Sequence, residues 1–162
     1  VERKLLEDCK FPDNSFEFVS MFGVIEHLPK PFEVIKEIHR ILKPGGIFLG
    51  RCPNIDSLVC MILHHQARTF TGRNHLNYFS PETMSFLFKK TGFKKSEIDT
   101  FYTGKDSILN YLQFLDPFGD ETLKYLPPKF RTFISNKKNQ QLLEKKLYEL
   151  GIGLKLRFFA HK

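Results

Sequence analysis

Apolar residues come in short blocks divided by turn signals, and two periodicities alternate along the chain. Phe16 to Phe22 is nearly continuously apolar and too short for a free-standing helix, which predicts a parallel strand buried on both faces. Phe11-Pro12-Asp13-Asn14-Ser15 before it is a turn, and Val1 to Lys10 reads as helix-compatible. Pro31 suits a first helical turn. Phe32, Ile35, Ile38, His39 and Leu42 then recur at helical spacing as far as Lys43, where Pro44-Gly45-Gly46 stops the helix. Ile47 to Arg51 is a second short strand, closed by Pro53-Asn54, so strand, helix and strand make one right-handed crossover unit.

Further along, Asp56 to Gln66 reads as a helix or lid, and Thr71-Gly72-Arg73-Asn74 as a loop. Ser80-Pro81-Glu82 supplies an N-cap, a first-position proline and an acidic first turn; Met84, Leu87 and Phe88 give the apolar face and Gly92 the stop. A third strand runs from near Phe93 towards Tyr102. From Thr103 to Leu150 the texture changes: Pro117, Pro127 and Pro128 break up short helical pieces, and Asn139 to Leu150 is a Lys- and Leu-rich helix. Leu154 to Ala160 reads as a last strand after Gly151 and Gly153. The fold class is therefore α/β.

Composition narrows the picture without changing it. With 162 residues, 41% hydrophobic and 27% charged, the chain has enough apolar material for a core. No apolar stretch approaches the ~20 residues that span a bilayer, and no basic-then-apolar leader opens the sequence, so a soluble, cytoplasmic protein is expected. Cys9, Cys52 and Cys60 show no Cys-x-x-Cys spacing and read as free thiols. The net charge of +7 comes from scattered Lys and Arg, with concentrations at Lys89, Lys90, Lys94, Lys95 and at Lys137, Lys138, Lys145, Lys146. Solvated faces explain it, and nucleic-acid binding is not expected.

Five short motifs occur in order: Phe11-Pro12-Asp13-Asn14-Ser15-Phe16, Val24-Ile25-Glu26-His27-Leu28, Ile41-Leu42-Lys43-Pro44-Gly45-Gly46, Pro53-Asn54 and Thr91-Gly92-Phe93. The series resembles the second half of class I, Rossmann-like S-adenosylmethionine-dependent methyltransferases. The resemblance covers roughly residues 8 to 102 and the closing strand 154 to 160. It implies strands four to seven of that family's sheet, the last antiparallel, in a partial domain over 1–102 and 151–162. Residues 103–150 are then a helical insertion, a candidate substrate cap overhanging the carboxyl ends of the strands.

The same resemblance implies S-adenosyl-L-methionine as cofactor, with Asp8, Phe22, Gly23, Val24 and His27 on its side of the site, and Asn54 and Tyr78 on the substrate side. By their own chemistry, Glu26 and His27 at a strand end can move a proton, orient a substrate hydroxyl or bind a metal, or serve only in local pairing and packing. His75, in Asn74-His75-Leu76-Asn77-Tyr78-Phe79-Ser80, resembles a His of relatives acting on glycans, lipid quinones and RNA. Glu26, His27 and His75 are the candidate catalytic residues. In RNA 2′-O-methyltransferases of small-RNA ends, a Glu-x-x-Glu-His and a later His hold magnesium. Here Gly23 stands at the first Glu, and two imidazoles suit transition metals better, so no metal is expected. The pair His64-His65 reads as surface.

The family's glycine-rich turn and ribose-binding acid have no counterpart before Phe16. The chain is therefore expected to be a truncated methyltransferase that binds the cofactor poorly alone, while its parent methylates a small molecule, most simply an oxygen of a glycan or lipid-linked precursor. The other readings are a non-catalytic partner or scaffold module built from the half-fold, and an RNA methyltransferase. An unpaired apolar edge at Phe16 to Phe22 predicts self-association.

Overall fold

A computed structural model describes residues 4–70, 74–101 and 128–162. The chain falls into two compact units. The first comprises Val1–Pro53, Leu76–Asp99 and Leu156–Lys162, the second Asn54–His75 and Thr100–Lys155. The expected insertion at 103–150 lies outside the described residues as far as 127; beyond it stand two helices.

A four-stranded sheet has the order β1 (Phe16–Phe22), β2 (Leu42–Pro53), β4 (Lys155–His161), β3 (Lys95–Phe101). β1 and β2 are parallel, with Val19 opposite Phe48 and Met21 opposite Gly50. The Gly46 and Gly45 backbone groups pair with Lys162 at one end of β2, whereas Asn54 pairs with Leu154 at the other, so the last strand is antiparallel to β2, as expected. α1 (Pro31–Ile41) makes the crossover between the parallel pair. It buries Val34, Ile35, Ile38 and Ile41, each contributing about 1.5–3 kcal/mol of transfer free energy. Phe32, expected on that face, is instead 43% exposed.

Where α1 ends, Pro44 cannot continue it and β2 begins at once. The Lys162 ammonium donates to the Arg40 and Leu42 carbonyls at 3.1 and 2.6 Å, satisfying acceptors that a helix end leaves open. α3 (Pro81–Lys90) starts in a capping box: Ser80 Oγ accepts from the Thr83 amide and Thr83 Oγ1 from the Ser80 amide. The core of this unit is aromatic. Phe158 lies 5.2 Å from Phe48 and 5.1 Å from Phe88, ring centre to ring centre, all three essentially without solvent contact.

Burial of β1 on both faces does not hold: Phe18 and Phe22 are each 53% exposed. Among the described residues β1 is the edge of the sheet, paired with β2 alone. The described part of the opening makes a short 3-10 helix over Leu6–Cys9.

In the second unit, α2 (Leu58–Leu63) is N-capped by Ser57, whose hydroxyl accepts from the Cys60 amide. Two further helices follow, α4 (Pro128–Ser135) and α5 (Lys137–Glu149), the latter capped by Asn136. Val59, Cys60, Ala67, Leu147 and Leu154 form its core. Gly153 has no room for a side chain, since a Cβ would stand 2.8 Å from the Phe101 amide nitrogen and from Thr100 Oγ1. No helix among the described residues is long and apolar enough to cross a membrane.

Candidate functional site

The carboxyl end of β1 carries the site. Beyond Phe22 the chain turns through Gly23, whose φ of +65° favours glycine; a Cβ there would meet only Glu26 Oε1, at an ordinary 3.8 Å. Conformation, rather than lack of space, therefore keeps a glycine at this position. Phe22 lies beneath the Arg51 guanidinium, 5.6 Å from ring centre, and Val24 is 41% exposed, so both present apolar surface at the strand end.

A 3-10 turn over Ile25–His27 follows, and it sets the Glu26 side chain inward. Glu26 is only 5% exposed. Its backbone carbonyl accepts from the Leu76 and Asn77 amides at 2.8 and 3.0 Å, while Asn77 Nδ2 donates to the Leu28 carbonyl at 2.7 Å. The turn is thus clamped from a segment about fifty residues later in the chain. Glu26 Oε1 lies 3.9 Å from His27 Nε2, beyond hydrogen-bond length, and Oε2 is buried with no partner among the described residues. A buried acceptor left unpaired costs about 1–3 kcal/mol, and more when charged. Cys52, 1% exposed, has its thiol pushed well above the usual range, first by burial and then by the Glu26 charge. It is a neutral wall.

Of the other residues singled out from the sequence, Asp8 is exposed in the short turn before β1, and Tyr78 is half-buried in the first unit. His75 closes the second unit one peptide bond before Leu76, its Nδ1 2.9 Å from the Thr69 carbonyl oxygen. Asn54 is fully buried: its amide donates to the Gly153 and Gly151 carbonyls, and its Oδ1 accepts from the Asp56 amide. Both ends of the side chain are committed to holding the loop after β2. Asn77 was not singled out for itself; its place in the polar run from Asn74 to Ser80 was the signal for it.

Exposed Phe22 and Val24, the glycine turn and the buried Glu26 oxygen thus follow one another at the carboxyl end of β1.

A family model described as a methyltransferase domain matches residues 2–98. Demethylmenaquinone methyltransferase of Geobacillus stearothermophilus is 49% identical over 87 residues, 54% of this chain and 32% of that protein. Among solved structures, an S-adenosylmethionine-dependent methyltransferase from Archaeoglobus fulgidus aligns over all of this chain and 66% of its own, with a TM-score of 0.57 and 21% identity. Phosphoethanolamine N-methyltransferase 2 of Haemonchus contortus, solved with S-adenosyl-L-methionine, aligns over 94% of this chain and 34% of its own, with a TM-score of 0.52 and 20% identity. The chain spans between 10% and 36% of the length of the curated relatives it matches.

Proposed function

Because the chain belongs to the methyltransferase-domain family of Rossmann-like, S-adenosylmethionine-dependent enzymes, we propose that the whole protein methylates an oxygen of a small molecule such as a glycan or lipid-linked precursor. The observation that carries this reading is Glu26: a buried carboxylate oxygen with no donor among the described residues, at the carboxyl end of a parallel strand, where open α/β sheets hold their ligands.

S-adenosylmethionine, when bound, supplies a methyl group activated by its sulfonium. Phe22, Gly23 and Val24 form one wall for it, and the Phe22 ring beneath Arg51 keeps that wall flat. Methyl transfer needs the acceptor atom aligned and dry more than it needs strong acid or base chemistry. Glu26 accepts the acceptor's O–H hydrogen bond, aims a lone pair and takes the proton as the oxygen is methylated. Cys52, neutral and buried, keeps water from the inner side of the carboxylate.

Two measurements test this. Calorimetric titration of S-adenosylhomocysteine into this chain, and into a longer chain supplying the first part of the relatives' fold, is expected to show binding in the longer chain only. Silence in both favours a non-catalytic partner module. Glu26→Gln keeps the shape of the side chain; it is expected to lower kcat about 10²-fold with the native circular dichroism spectrum retained. Full activity in that variant removes Glu26 from the reaction.

A further inference from the structure

α3 buries Met84 and Phe88, and so turns Phe86, Lys89 and Lys90, three and four positions apart, outwards together. Phe86 is 61% exposed. The chain then reverses through Gly92, at φ +99°, in a turn fixed from three sides. The Phe93 amide donates to the Phe88 carbonyl at 3.1 Å, Thr91 Oγ1 to the Leu87 carbonyl at 2.8 Å, and the Lys94 amide to the His161 carbonyl at 3.0 Å. Thr91 and Phe93 are buried, which leaves Lys94 and Lys95 exposed just past the turn. Four lysines and one bare aromatic ring therefore stand around a single pinned corner of the first unit.

The positive charge at this corner is not neutralised locally. Lys95 pairs with Glu97 at 2.6 Å, but among the described residues no carboxylate meets the ammonium of Lys89, Lys90 or Lys94. Glu82, the acid of α3, stands at the other end of the helix, where Ser80 Oγ donates to it. Lysines in a last helical turn offset the helix dipole, which accounts for Lys89 and Lys90. It accounts neither for Lys94, outside the helix, nor for an exposed ring among cations. Lys90 Nζ lies over that ring, 5.3 Å from the centre of Phe86.

The composition of the corner selects the partner. No Arg, whose planar fork suits nucleic-acid phosphates, lies between Pro81 and Asp99. A ring with an ammonium already over it offers less to a stacking base. Lys is depleted in interfaces between proteins. An anionic bilayer, by contrast, attracts lysines held near its surface whatever their exact spacing, and an aromatic ring enters its head-group layer while lysine stems lie alongside with their ammoniums at the phosphates. We infer that this corner docks on an anionic phospholipid surface, with Phe86 entering between head groups and Lys89, Lys90 and Lys94 meeting their phosphates. The contact is peripheral and reversible, since one ring and three cations fall short of a stable anchor.

The chain contains no tryptophan, so Phe86→Trp supplies a single fluorescent reporter at the surface and removes no lysine. With vesicles of phosphatidylcholine and phosphatidylglycerol, about 3:1, its emission is expected to shift saturably to the blue and to be quenched by brominated acyl chains. Vesicles of phosphatidylcholine alone, or ~0.5 M salt, should abolish both effects. Phe18→Trp is the control. Phe18 alternates with Val19, which packs against the core that α3 covers, so it points from the opposite face of the sheet and its emission should not move. In co-sedimentation, at about a fivefold loss per lysine, Lys89→Ala/Lys90→Ala/Lys94→Ala should weaken binding about 10²-fold with the native circular dichroism spectrum retained. Lys137→Ala/Lys138→Ala/Lys145→Ala removes the same charge from exposed sites of α5 and should leave binding unchanged. The inference is overturned by an unshifted Phe86→Trp emission, by equal binding to neutral vesicles, or by equal losses in the two triple variants. Tighter binding of a uridine oligonucleotide with the same dependence on Lys89, Lys90 and Lys94 also overturns it, in favour of RNA. Nothing in this test needs a cofactor or a methyl acceptor, so its outcome is separate from that of the methyltransferase reading.

Discussion

Gly50 is where β1 and β2 can least tolerate an added atom. It faces Met21 across the parallel pair, and a Cβ at this position would lie 2.1 Å from the Met21 carbonyl oxygen and 2.5 Å from Phe158 Cζ. Ordinary contact lies near ~3.5 Å, so the two strands, or the strand and the ring, must part by about 1 Å. Neither can give cheaply: the oxygen is backbone, and the Phe158 ring is fixed between Phe48 and Phe88. Overpacking of this kind costs roughly 1–3 kcal/mol, and with both obstacles rigid the upper end applies. Gly50→Ala is therefore expected to lose about 3 kcal/mol, or roughly 6–12 °C in Tm for a chain of this size. Gly45→Ala is the comparison, because Gly45 has φ +79° and nothing within 4 Å of its Cβ, which isolates the conformational cost at ~1–2 kcal/mol. Urea unfolding followed by circular dichroism measures both. A Gly50→Ala loss no larger than that of Gly45→Ala refutes the close approach of β1, β2 and Phe158.

Three other outcomes are expected. His39 has its imidazole held below the ordinary histidine range, mainly by burial and then by the Lys162 and Lys94 charges, against an opposing hydrogen bond at Gly92. The unfolded chain therefore binds more protons than the folded one below about pH 6.5. Stability should fall as pH drops through that region, and His39→Gln should flatten the slope of urea midpoint against pH. Ellman's reagent should modify half-buried Cys9 in the native protein and reach Cys52 and Cys60 only in denaturant; rapid reaction of all three thiols contradicts the burial of the latter two. The open edge of β1, with Phe18 and Phe22 exposed, should give a concentration-dependent dimer by light scattering that Phe18→Lys abolishes. A monodisperse monomer at high concentration sinks that expectation.

The strand at Phe16 to Phe22 and the α3 cap were legible because local sequence determines them: a β-rich apolar run in one case, Ser80-Pro81-Glu82 in the other. The end of α1 was legible for the same reason, through Pro44. The exposure of β1 was not, since a run of apolar residues reads alike at the centre and at the edge of a sheet. Glu26 was singled out by its place after a strand, but its inward set depends on amides of Leu76 and Asn77, which no local pattern connects to it. The resemblance put Asn54 on the substrate side; that its side chain bonds the Gly151 and Gly153 carbonyls and the Asp56 amide is visible only in the fold. The His64-His65 pair read as surface, and both residues are exposed.

The sheet order carries a consequence for synthesis on the ribosome. Among the described residues β3 pairs with β4 alone, and the stretch 102–154 lies between them in the chain. At ~5–20 residues per second the ribosome takes roughly 3–10 s to produce that stretch. Through that interval β3 has emerged with no hydrogen-bonding partner in the sheet, while β1 and β2, joined by a short crossover, can pair at once. The nascent chain is exposed to aggregation longest at β3, and slower codons across 102–154 should lower the soluble yield, whereas slower codons between β1 and β2 should not.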